Sequence, residues 1–104
     1  MSFRPEPTLE SLRADLDGID ERLLDLLRAR IGVCVEIAHV KRDSGVPMMQ
    51  PHRIGVVQQR AARYAERHGM SKDFVRRLYE TIIAETCRVE DIVIGDPSAN
   101  PAAA

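Results

Sequence analysis

"TLESLRADLDGIDERLLDLLRARIGVCVEIAHVKRD", residues 8–43, repeats its apolar side chains at alternating steps of three and four. Leu9, Leu12, Leu16, Ile19, Leu23 and Leu26 keep the step, Arg30 occupies the next place, and Val33, Ile37 and Val40 resume it. This is the period of an α-helix with a core-facing seam. Thr8, after Pro5 and Pro7, is placed to cap its start, and Gly45 followed by Pro47 marks its end. At about 1.5 Å of rise per residue such a helix is roughly 54 Å long. A compact globule of this chain length has a radius of gyration near 13 Å. The seam would therefore be exposed over much of its length unless a second copy covered it, which predicts a homodimer.

Outward from that helix, "GVPMMQPHRIG" (45–55) is an unusually furnished connector, and Pro51 within it suits the first turn of a second helix. Ile54, Val57, Ala61, Ala65 and His68 form that helix's inner face, Gly69 ends it and Ser71 is placed to cap a third. In the third, Phe74, Val75, Leu78, Ile82, Val89 and Val93 make the buried stripe, and Gly95-Asp96-Pro97 stops it. The expected architecture is all-α: a three-helix chain with one very long N-terminal helix, intertwined as a homodimer. Residues 8–95 form the helical domain, with flexible ends at 1–7 and 96–104. The composition agrees, for the 104 residues are 44% hydrophobic but only 4% aromatic, a balance that favours helix over sheet. A net charge of −1 gives no reason to expect nucleic acid or an acidic membrane as partner. No apolar run is long enough to span a bilayer, and the first ten residues lack a signal peptide's apolar core, so a cytoplasmic location is expected.

Some polar residues sit on faces that call for apolar ones. Arg30 interrupts the seam, and Lys41, eleven residues on, lies about 20° from it around the helix. Two long cations then overhang one groove, an arrangement consistent both with an anion site and with a solvated, carboxylate-paired face. Arg13 precedes Arg30 by about 25 Å of helix, so it could join that groove only from the partner of an antiparallel dimer; paired with Glu10 or Asp17 it would be a surface arginine instead. Thr86 and Glu90 stand one turn apart on the third helix. Thr86 either bonds back to a carbonyl of its own helix or faces the groove, and Glu90 is either a surface carboxylate or a second polar group there. There is no Gly-rich phosphate loop and no nucleophile elbow. Cys34 and Cys87 lack metal or redox spacing and read as free thiols, and His39, His52 and His68 share no ligand spacing. No metal and no cofactor are expected.

With these residues in place, the chain resembles the all-α chorismate mutase family over about residues 9–94. The matching pieces are "LRADLDGIDERLLDLLRAR", "IAHVKRDSGVPM", the helix start at Arg53, and "FVRRLYETIIAET"; their order and spacing are together specific. The resemblance implies a [3,3] rearrangement of a chorismate-like dicarboxylate, performed by orientation and electrostatic preorganisation without a covalent intermediate. It also implies roles. Arg13 from the partner subunit and Arg30 each grip a carboxylate, since a guanidinium matches a carboxylate bidentately. Lys41 donates to the ether oxygen and an adjacent carboxylate, Arg53 keeps the family's arginine at the start of the second helix, and Thr86 takes the place of a small hydroxyl residue at the carboxylate. Glu90 stands where many members carry a glutamine that donates to the ether oxygen, which it can do only in its protonated form.

Two further departures bear on the substrate. Gln50 stands where many members have a loop aspartate, and Ile54 replaces the glutamate often beside the C4 hydroxyl. "VPMMQPHR" with "CRVEDIVI" is most similar to the branch that rearranges 4-amino-4-deoxychorismate. Plain chorismate mutase is the alternative, with isochorismate pyruvate-lyase behind it. A helical dimerisation module without catalysis is the rival from another class, set against the desolvation cost of an unpaired cation on a buried seam.

Overall fold

The computed structural model describes residues 6–47 and 50–95, which form three helices and no strand among the described residues. These are α1 (Leu9–Ser44), α2 (Pro51–Arg67) and α3 (Lys72–Gly95). Most of both expected flexible ends, together with Met48, Met49 and the Asp96-Pro97 stop, lies outside the described residues. Two units are distinguished, one ending at Gly32 and the other starting at Val33.

Local chemistry accounts for each helix boundary. The Thr8 hydroxyl accepts from the Ser11 backbone N–H at 3.0 Å, and Ser11 Oγ accepts from the Thr8 N–H at 2.9 Å. This reciprocal arrangement satisfies two of the donors that a helix start leaves open. At the other end, Gly45 takes φ 68° and the Val46 N–H reaches back to the Lys41 carbonyl at 2.9 Å. Gly69 at φ 66° ends α2 in the same way, with Met70 N–H on the Ala65 carbonyl at 2.9 Å. Both closures use the left-handed conformation that glycine adopts without penalty. Ser71 Oγ accepts from the Phe74 N–H at 3.1 Å and caps α3. Pro51 opens α2, where Gln50 is the cap residue but makes no side-chain capping bond.

In the unit up to Gly32, α1 exposes its apolar side chains. Leu9, Leu12, Leu16, Ile19, Leu23, Leu24 and Leu26 are between 50% and 69% exposed in the single chain. In the unit from Val33 onward, α2 and α3 pair around a small-residue contact, Ala61 and Ala65 against Val75, with Tyr79 packed beside it. The remaining core is Cys34 and Ala38 of α1 with Val89 and Val93 of α3.

Within the single chain, the line of α1 that is buried is not the seam read from the sequence. Val33, Ile37 and Val40 remain exposed, and the neighbouring line of Cys34 and Ala38 turns inward, where short side chains permit a close approach. Phe74 and Leu78 are likewise exposed, at 51% and 42%, because the buried face of α3 follows Val75, Val89 and Val93. His68 caps α2 and stacks on Tyr64 with ring centroids 4.2 Å apart instead of entering the core. Among the described residues no helix is long and apolar enough to cross a membrane.

Because a Cβ at Gly69 would meet nothing within 4 Å, Gly69→Ala isolates the backbone term. It should lower stability by about 1 kcal/mol, the cost of a left-handed L-residue, read as a shifted urea midpoint with unchanged slope.

Candidate active site

The site is built on the last turns of α1, the connector and the last turns of α3. Lys41 stands seven residues beyond Cys34 on the inward line of α1, so its stem is carried toward α3. Its Nζ donates to Glu90 Oε1 at 2.8 Å, with the two side chains only 14% and 7% exposed. Glu90 is thus a buried carboxylate and not a surface one, and it belongs to an ion pair largely removed from water. Such a pair is held in place by the high cost of leaving either charge alone.

Thr86 lies one turn before Glu90. Its hydroxyl donates to the Ile82 carbonyl of its own helix at 3.0 Å and accepts from the Cys34 thiol at 3.7 Å. Thr86 thus bonds back along α3 and also contacts α1, but it is not among the residues that line the groove described next. Glu85, its neighbour in sequence, points to solvent instead. There Arg88 hydrogen-bonds to it and holds its carboxyl below the usual carboxylate range.

Beside Lys41 an open groove of about 350 Å³ is lined by Val33, Glu36, Ile37, Val40, Lys41, Val46 and Gln50. The groove brings the candidate Gln50 to Lys41. Arg53 and Ile54 occupy the first turn of α2, Arg53 exposed and Ile54 half-buried. The Arg53 backbone N–H bonds to the Gln50 carbonyl at 3.0 Å. Arg30 is half-buried. Arg13 is exposed, and among the described residues it pairs with neither Glu10 nor Asp17. Cys34 and Cys87 are free thiols, and no group of three or more His, Cys, Asp or Glu among the described residues could hold a metal.

Three neighbours of the candidate residues carry no role in the sequence reading. Cys34 was read only as a buried thiol, yet its spacing of seven from Lys41 places both on one face. Glu36 and Val46 carry no periodic signal, and only the groove reveals them. Lys41 is not an unpaired cation on a buried face, because Glu90 supplies its counter-charge. The cost of an unpaired cation therefore no longer separates an enzyme from a scaffold.

The comparisons do separate them. Residues 12–91 match the family described as chorismate mutase type II. The chain belongs to that family. Two Streptomyces proteins named 4-amino-4-deoxychorismate mutase are similar to it. The one from Streptomyces pristinaespiralis is 55% identical over 83 residues, covering 80% of this chain and 64% of that protein, so the match spans less than two thirds of its length. The one from Streptomyces venezuelae is 52% identical over 90 residues, covering 86% and 87%. A chorismate mutase from Methanocaldococcus jannaschii is 23% identical over 75 residues, covering 72% and 76%. No solved structure gives a significant match.

The Lys41–Glu90 pair makes a testable demand on stability. Lys41→Met or Glu90→Gln alone should cost about 2–3 kcal/mol, and the double variant less than their sum. Additive losses in urea denaturation would show that the two charges do not depend on each other.

Proposed function

We propose that the chain rearranges 4-amino-4-deoxychorismate to 4-amino-4-deoxyprephenate, as one helical domain over residues 8–95 working as a cytoplasmic homodimer. The observation that carries this reading is Lys41, a cation secured by a buried carboxylate beside a groove, in a chain of this family. The substrate choice is supported by the 52–55% identity to the two Streptomyces proteins of that name.

The chemistry is a cyclic six-electron shift. The ether C–O bond breaks as a C–C bond forms, and no proton or electron leaves the substrate. The protein's work is to hold the enolpyruvyl arm over the ring and to meet negative charge growing on the ether oxygen. Arg30 and the partner's Arg13 hold the two carboxylates, Arg53 closes the α2 side with Thr86 at a carboxylate, and Lys41 turns toward the ether oxygen. Gln50 and Ile54 face the ring's C4 end, where an amide oxygen accepts from an amine.

Lys41 can serve the substrate only by loosening its bond to Glu90. Glu90, which secures Lys41 in the free protein, stands with it at the ether oxygen. The exposed leucines of α1 supply the reason for dimerisation, since one chain alone leaves them in water.

Side-by-side turnover of 4-amino-4-deoxychorismate, chorismate and isochorismate should favour the amine by at least about tenfold in kcat/KM, or about 1.4 kcal/mol of transition-state discrimination. A preference for chorismate would overturn the substrate and leave the site standing. Arg30→Ala should abolish the thermal shift that a substrate-like dicarboxylate gives. Sedimentation should return twice the 11.7 kDa chain mass, and a monomer would remove Arg13 from the site.

A further inference from the structure

We infer that Glu36 is a positioning residue that holds the partner's Arg13 in the substrate groove. The inference rests on the proposed dimer, and it assigns a role to a carboxylate that the reaction itself does not require.

Glu36 lines the same groove as Lys41 and Gln50 and is exposed there. Among the described residues it makes no ion pair, and Lys41, the cation of that groove, is bonded to Glu90. No lysine or arginine stands three or four residues from Glu36 on its own helix, and His39, one turn on, makes no ion pair with it among the described residues. A lone carboxylate in a groove that is to receive a dicarboxylate would repel it, and a cation beside Glu36 removes that penalty.

The exposed seam identifies that cation. Its alternating steps of three and four run from Leu9 to Val40 and read the same from either end. Two antiparallel copies in full register therefore place Leu9 opposite Val40, Leu12 opposite Ile37 and Leu16 opposite Val33, all of them exposed in the single chain. The same register sets Arg13 opposite Glu36. Arg13 is itself exposed and unpaired among the described residues, and its leucine neighbours match the apolar wall of the groove. A Glu36–Arg13 bond across the interface fixes the guanidinium on one side and leaves its outer edge for a substrate carboxylate, as the planar fork allows.

The test is a double-mutant cycle on the full chain, with sedimentation confirming that each variant stays dimeric. Glu36→Gln should raise KM about five- to tenfold with little change in kcat, and Glu36→Asp should recover part of it. In an Arg13→Ala background Glu36→Gln should add nothing. A full additional loss there, or an unchanged KM in Glu36→Gln alone, overturns the inference. Mixing Arg13→Ala chains with Glu36→Gln chains should restore about a quarter of wild-type kcat/KM, because half of the dimers then carry one intact site. Mixing Arg13→Ala with Lys41→Met reports separately on whether Arg13 crosses at all. Recovery there without recovery in the first mixture rejects the role of Glu36, and recovery in neither rejects the dimeric site beneath it.

Discussion

A lysine ammonium drawn out of water must be given a counter-charge, and in this protein Glu90 provides it at 2.8 Å. That bond ties the C-terminal turns of α1 to those of α3, and the other contacts follow from the approach. Cys34 and Ala38 are small enough to let α3 close in, Thr86 meets the Cys34 thiol one turn away, and Val89 and Val93 complete the core beside it. Under the proposed function the pair also sets the chemistry. A cation already desolvated and oriented needs little reorganisation to meet charge growing on an ether oxygen.

The proposed reaction makes few chemical demands. A pericyclic rearrangement asks for no nucleophile, metal or redox partner, only for geometry and for donors that strengthen in the transition state. In the proposed reaction Lys41, the arginines and Thr86 are of that kind. Under the proposed function the choice of substrate falls to two residues: Gln50, which lines the groove with Lys41, and Ile54, half-buried in the first turn of α2. A neutral amide and an apolar wall discriminate between amine and hydroxyl through what each leaves unpaired.

The helices were legible from sequence because their signals are local. Thr8, Gly45, Pro51, Gly69 and Ser71 cap, start and stop them as their side chains and φ angles dictate. Which stripe of α1 turns inward was not legible. Periodicity locates an apolar face but cannot tell the chain's own core from a face kept for a second copy, and here Val33, Ile37 and Val40 stay outside while Cys34 and Ala38 go in. Lys41 and Glu90 each stand out in the sequence, but their bond spans 49 positions, and nothing local announces a contact at that range. Glu36 escaped notice because one glutamate on a charged helix looks like any other until the groove around it is seen.

Lys41 is secured by Glu90 in the free protein, and the proposed reaction needs it to leave that carboxylate for the substrate. Calorimetric titration of the unaltered protein, Lys41→Met and Glu90→Gln with a dicarboxylate transition-state analogue measures that exchange directly. Lys41→Met should lose at least about tenfold in affinity, or about 1.4 kcal/mol, while Glu90→Gln still binds. Unchanged affinity in Lys41→Met would contradict the exchange.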